Sequence, residues 1–351
     1  MLTYRNRDLQ IVENCLSSLA EQTIKTFKVV LVDYGSVEDY KNKLSLLVSK
    51  YSFIELIQCQ TEQQLWNKSR AINIALKQCD TPYFFVGDID MMYHLNFIET
   101  LINLQSEKDI IYFQVGFLSK EESQQNKTFD DYRISFKSND EATGMTLYNT
   151  NILKSINGYD EFYHGWGTED TDVHIRLKHA GFNIKFYTKS IFMLHQWHPK
   201  NYRTKNDIAP FHSSLEQINH EYLKLKHQTK NVKANLKFPW GIYNNNDYND
   251  LSKTDLSFNL TNKESEIKAF INNVLLVETN KFVRVSISED EAYKTLKEIV
   301  KGLFGKKTIQ FLDMQIINNM LLETIINNLR DKPYKFQYYR KNQTIHLTIK
   351  V

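Results

Sequence analysis

The sequence predicts an α/β fold, a mostly parallel sheet flanked by helices, followed by a small α+β domain. Two observations predict the first part. Short β-branched and aromatic runs alternate with amphipathic segments along residues 1–228, the pattern of strands joined by crossover helices. Carboxylates also stand where those runs stop, at Asp33, Asp88 and Asp90, and ligands of open α/β sheets gather outside the carboxyl ends of the strands. A third observation, the Pro-, Gly- and Asn-containing stretch 229–250, marks a linker before residues 251–351.

In chain order, Met1–Tyr4 reads as the tail of a first strand, either unusually short or begun upstream. Gln10–Leu19 has helical periodicity, Phe27–Val32 is a buried-strand run ending at Asp33, and Gln63–Gln78 is again helical. Tyr83–Val86 is a strand ending at Gly87-Asp88, and Ser213–Gln228 a charged helix. Beyond the linker come Lys268–Val277, Lys281–Ile287, an amphipathic Ala292–Leu303, Thr308–Leu312 and Ile316–Leu329. The last two runs, Tyr334–Tyr339 and Thr344–Val351, flank Arg340-Lys-Asn-Gln343 as a hairpin would.

Composition narrows the class. The 351 residues suffice for two domains and a sizeable core. Forty-four Lys and Arg against 41 Asp and Glu give a formal charge of +3, which argues against nucleic acid as a partner. Cys15, Cys59 and Cys79 lack metal-type spacing and fit reduced thiols. No apolar run reaches membrane-spanning length and the N-terminus is polar, so a cytoplasmic protein is expected, with peripheral membrane association left open.

Several constellations carry chemistry. Asp88 and Asp90, two apart on an extended backbone, point to one side and suit Mg2+ or Mn2+, although D-x-D is also frequent in turns. Thr3-Tyr-Arg-Asn-Arg7 puts Arg5 and Arg7 just after a strand, as phosphate ligands or as a solvated helix start. In Trp66-Asn-Lys-Ser-Arg70, Lys68 and Arg70 open a helix whose N-terminus attracts anions, and Trp66 either stacks on a base or packs. Asp33 accepts from a nucleobase or ribose, or caps a helix. His195, with His198 as fallback, adds an imidazole to an N/O site suited to Mn2+. Glu169, Asp170 and Asp172 follow Gly165-Trp-Gly167 at a helix start, with Thr168 a plausible N-cap and Val173, Leu177 and Ala180 on one face. Acids in a first turn offset the helix dipole, which explains one or two of the three.

Taken in order, these stretches resemble a GT-A glycosyltransferase. Asp33 after a β-run and the D-x-D strand end are similar to glycosyltransferase family 2. Tyr4–Arg7, Trp66–Asn73, Asp88–Asp90 and the run from Ile156-Asn-Gly-Tyr159 through Gly165-Trp-Gly-Thr-Glu-Asp-Thr-Asp172 resemble the β-1,4-galactosyltransferases. The resemblance implies Asp170 as general base, Glu169 positioning the acceptor, and Trp166 on a sugar face and the donor diphosphate. It gives Asp172 to the helix start or acceptor pocket. It further implies metal ligation by Asp90, with Asp88 assisting, and by His195. Thr3, Arg5, Arg7, Asp33, Trp66, Lys68, Arg70 and Asp88 would bind the nucleotide, and Gly144 would admit the donor sugar. Where the family has an aromatic residue and an extra glycine, Glu141-Ala142-Thr143 stands, leaving space for an N-acetyl group. The expectation is a Mn2+- or Mg2+-dependent inverting enzyme moving a hexose or N-acetylhexosamine from a UDP-sugar to a glycan hydroxyl in polysaccharide biosynthesis. The alternatives are a retaining enzyme like the polypeptide N-acetylgalactosaminyltransferases and a sugar-nucleotide-binding protein without turnover.

Overall fold

The computed structural model describes residues 1–199, 208–295 and 308–351. Most of the amphipathic stretch Ala292–Leu303 lies outside them. The described residues form two compact units. One comprises residues 1–62, 66–199 and 216–243; the other comprises 63–65, 208–215, 244–295 and 308–351.

The first unit is built on a seven-stranded sheet. Its strands are β1 (Leu2–Tyr4), β2 (Val29–Tyr34), β3 (Ile54–Cys59), β4 (Tyr83–Asp88), β6 (Asp109–Phe113), β9 (Thr146–Asn149) and β10 (Asn183–Tyr187), in the order β10-β6-β9-β4-β1-β2-β3. All pairings are parallel except those of β9. The three-residue β1 sits between β2 and β4, Leu2 opposite both Leu31 and Gly87. The second strand runs past the expected end, because Asp33 and Tyr34 still pair with Gln58 and Cys59.

Alternation sends side chains to both faces. Leu2, Val29 and Leu31 join Val12, Leu16 and Leu19 of the helix Leu9–Ala20 on one side. Val32 and Val86 join Ile72, Ile74 and Leu76 of the helix Lys68–Gln78 on the other. Each such fully buried side chain favours folding by roughly 1.5–3 kcal/mol. Asp8 and Asn67 cap these helices, accepting from the Gln10 and Arg70 backbone N–H groups at 2.8 Å. The second helix is shorter than the periodicity suggested, since Gln63–Leu65 belong to the other unit.

A smaller sheet carries β5 (Met91–Tyr93), β11 (Met193–His195), β7 (Gly116–Leu118) and β8 (Ile134–Lys137), in that order. It starts three residues after Asp88, so strand ends of both sheets meet near the D-x-D turn. The expected linker is not free. Ala234 N–H donates to Ile156 C=O at 3.1 Å and Gly241 N–H to Glu161 Oε1 at 2.7 Å, while Lys77 Nζ lies 3.6 Å over the Trp240 ring. Residues 229–243 thus pack in the first unit, and the boundary falls at 243/244.

In the second unit, β12 (Leu256–Thr261), β13 (Phe282–Ser288), β14 (Tyr334–Tyr339) and β15 (Thr344–Lys350) lie in the order β12-β13-β15-β14, the last two forming the expected hairpin. Helices Glu264–Phe270 and Met314–Asn328 accompany them, and Thr308–Leu312 contributes only a bridge from Phe311 to Lys263. The outer edge of β14 is taken up by short pieces of chain: Phe336 N–H donates to Gln63 C=O and Tyr338 N–H to Ile208 C=O, both at 3.0 Å. No helix of the described residues is long and apolar enough to cross a membrane.

Candidate active site

The sheet brings the D-x-D turn and the helix Glu169–His179 to a common cation. Lys68 Nζ lies 3.1 Å from Asp88 Oδ1, 3.4 Å from Asp170 Oδ2 and 3.7 Å from Glu169 Oε1. Burial works to lower its pKa, but the three carboxylates hold it well above the usual lysine range. Burial pushes Asp170 up to about 7; Lys68 pulls down, and Glu169 and Asp88 push further up. Asp170 Oδ1 is buried with no hydrogen-bond partner among the described residues. A Cβ on Gly144 would stand 3.5 Å from Asp170 Oδ2, so that glycine faces the carboxylate directly.

Loop geometry sets this helix start. Gly165, Gly167 and Thr168 all have positive φ, at 75°, 105° and 72°. Gly165 N–H donates to Trp66 C=O at 2.7 Å, and Asn219 Nδ2 to Trp166 C=O at 3.2 Å, leaving the Trp166 side chain about half exposed. Thr168 occupies the N-cap position without a side-chain cap; its hydroxyl donates instead to Asn219 C=O at 3.4 Å. Val173 and Leu177 are buried as expected, whereas Ala180 is exposed just past the helix end.

Asp90 belongs to a second cluster. Its carboxylate lies 3.1 Å from His198 Nε2, 3.8 Å from His195 Nε2 and 3.2 Å from the Arg7 guanidinium. Burial opposes its ionisation, but the two histidines and Arg7 outweigh this and hold it well below the usual carboxylate range. Burial depresses His195. Ligand atoms of Asp90, His195 and His198 all lie within 4.8 Å of one another, and Asp90 Oδ1 is buried without a hydrogen bond among the described residues. One carboxylate and two imidazoles form a donor set that fits Mn2+. The histidines act together here, brought round by the turn after β11, where Gln196 N–H donates to Asp90 C=O at 2.9 Å. Phe117 stacks on the His195 ring at 4.7 Å, a support that nothing in the local pattern announces.

Family models of known proteins match this unit. That of glycosyl transferase family 2 matches residues 1–159, and that described as the N-terminal domain of galactosyltransferase matches residues 124–198. The first unit is a glycosyltransferase domain, similar to family 2 over residues 1–159. Over 94 residues the chain is 29% identical to a teichoic acid poly(glycerol phosphate) polymerase of Staphylococcus epidermidis, covering 26% of this chain and 12% of the polymerase. Among solved structures, GalNAc-T7 with UDP, GalNAc and Mn2+ is similar with a TM-score of 0.49 and 14% identity, over 65% of this chain and 48% of that one. S. aureus TarS 1-349 in complex with UDP-GlcNAc follows with 0.45 and 14%, over 67% and 66%.

The remaining candidates of the glycosyltransferase unit divide into two groups. Asp33 is fully buried, its Oδ1 accepting from Ser36 N–H at 3.0 Å and its Oδ2 without a hydrogen bond among the described residues, and burial raises its pKa. Arg5 donates to Glu62 C=O at 3.1 Å, Thr3 is buried in β1 opposite Asp88, and Trp66 meets Tyr34 edge-on at 6.0 Å. Two residues face the interior. Arg70 is buried and donates to Ile242 C=O at 2.9 Å, with Glu161 at 3.9 Å. Asp172 is 2.6 Å from Arg176 Nε one turn on, and that guanidinium also donates to Ile156 and Gly158 C=O at 3.0 and 2.8 Å. Helical periodicity explains both: positions two beyond Lys68 and Asp170 turn towards the interior.

Proposed function

We propose that the glycosyltransferase unit is a metal-dependent, inverting enzyme that moves a hexose or N-acetylhexosamine from a UDP-sugar to a hydroxyl of a glycan. The carrying observation is Lys68, whose ammonium stands between the D-x-D carboxylate Asp88 and the Glu169-Asp170 pair. That supports a reading in which donor-side and acceptor-side groups reach one substrate. Asp170, with a pKa of about 7, takes the acceptor proton near neutrality, and Glu169 orients the acceptor beside it. Gly144 gives the donor sugar room against Asp170. Trp166 offers its half-exposed ring to a sugar face. Asp33 accepts from uracil or ribose, while Arg5, Arg7 and Lys68 face the phosphates.

A divalent cation, Mn2+ or Mg2+, held by Asp90, His195 and His198, would neutralise charge on the departing diphosphate. With the base on one side of the anomeric carbon and the leaving group on the other, displacement inverts the centre and gives a β-linkage from an α-linked donor. The polymerase match supports a polymeric product.

Calorimetry of UDP, UDP-Gal, UDP-GalNAc and UDP-GlcNAc, with and without Mn2+, tests this on wild type and Asp90→Ala. Metal-dependent binding to the wild type, lost in the variant, is expected. Absence of binding to every nucleotide under both conditions would overturn the reading.

A further inference from the structure

A concavity of about 1320 Å³ opens in the glycosyltransferase unit between the helix Leu9–Ala20, β5, the segment 120–132 and residues 196–199. Arg7 and His198 stand at its border with the metal cluster, but Lys68, Gly144, Trp166, Glu169 and Asp170 do not line it. It is therefore separate from the place where the acceptor hydroxyl must react.

Its chemistry is distinctive. Side-chain amides of Asn6, Gln10, Asn14, Gln124, Gln125 and Asn126 line it. Two of them form a ladder with Gln196, just after β11: Gln10 Nε2 donates to Asn14 Oδ1 at 3.0 Å, Asn14 Nδ2 to Gln196 Oε1 at 2.8 Å, and Gln196 Nε2 to Ile11 C=O at 3.0 Å. The ladder fixes which way each amide points. Trp197 stands opposite, 41% exposed, held by its own N–H to Ser123 Oγ at 2.8 Å, with Lys120 Nζ 5.1 Å from its ring. Charges balance: Arg7, Lys120 and Lys127 against Asp8, Glu21 and Asp130.

A nucleotide or anionic polymer would find no net positive potential here. Apolar residues such as Ile11, Met92, Leu95 and Phe129 share the lining, but the amides and charges set among them would cost a lipid chain its dry contact. Amides that both donate and accept, beside an exposed indole, suit a neutral ligand with many hydroxyls. We infer that this cleft is a second glycan-binding site, holding a neutral oligosaccharide away from the reacting end. The inference rests on the glycan reading of the enzyme, and deepens it by giving the polymer a place besides the acceptor site.

The test uses the full chain with UDP and Mn2+ present in excess, so that donor-site binding is scored separately. Maltoheptaose and chitohexaose serve as neutral probes and dextran sulfate as a charged one, followed by calorimetry and tryptophan fluorescence. Neutral oligosaccharide binding is expected to weaken about tenfold or more in Trp197→Ala, the loss typical of an aromatic anchor, and to weaken also in Gln124→Ala/Asn126→Ala on the exposed rim. Trp166→Ala, which removes a ring from the acceptor site, should weaken it less than Trp197→Ala does. The inference is overturned if neither neutral probe binds, if both cleft variants bind as wild type does, or if only Trp166→Ala loses binding. Loss of UDP binding would instead count against the donor site.

Discussion

Burial holds Asp170 protonated up to pH about 7, so the proposed role as a base calls for a pH above that. We expect kcat/KM to rise with pH through about 7 and then level. In Lys68→Met the neighbouring cation is gone, and the rise should move to higher pH; a pH–rate profile of both proteins reads this directly. Asp170→Asn should lower kcat by roughly 10²- to 10⁴-fold, the usual worth of a general base. Its affinity for the UDP-sugar, measured by calorimetry, should stay near wild type. The same raised pKa bears on stability with the opposite sign. The folded state keeps a proton that the unfolded chain releases near 3.8, so Asp170 favours folding at low pH and loses that contribution as pH climbs from 3.8 towards 7. Side-chain direction is what the sequence alone conveyed least. The acids of 169–172 read as one cluster, yet Asp172 turns inward to Arg176, because a helix rotates successive residues by about 100° each. His198 was legible only as a substitute for His195, since the turn that aligns them depends on contacts made with Asp90.

Strands and helices were legible where period and partner agree. The runs ending at Asp33 and Asp88, the helix Leu9–Ala20 and the terminal hairpin all bury their apolar positions within their own unit. Gln63–Leu65 continue the helical periodicity but serve another sheet's edge, and periodicity reports a buried face without naming what buries it. The helix Glu169–His179 depends on two devices. Truncating one partner of a fully buried ion pair leaves the other charge uncompensated, so Asp172→Ala should cost about 3–5 kcal/mol, read from urea unfolding. The preceding Asn157-Gly158 turn has φ of 60° and 63°, and a Cβ at Gly158 would come within 2.3 Å of Asn73 Oδ1. Gly158→Ala should therefore lower Tm by several degrees, while Gly181→Ala, with open space around its φ of 88°, should lower it less.

At the scale of the molecule, the units are not successive lengths of chain. Leu65 and Gln64 are buried parts of the second unit, hydrogen-bonded to Tyr334 through Leu65 N–H at 3.1 Å and Gln64 Nε2 at 2.8 Å. A chain cut at residue 244 keeps residues 63–65 and 208–215 but loses the sheet they border. Such a truncation should be recovered mainly as insoluble protein, by sedimentation after expression, whereas a cut placed in a true linker would leave a soluble first unit.

Synthesis on the ribosome turns this into a matter of timing. Gln64 leaves the tunnel 270 residues ahead of Tyr334, an interval of roughly 15–50 s at ordinary translation rates. Throughout that wait an apolar Leu65 and unpaired backbone groups stand ready for a strand not yet made. The nascent protein is thus exposed to mispairing with neighbours on the same messenger, and slower elongation or scarce chaperone should lower its yield more than that of a protein whose domains close in order.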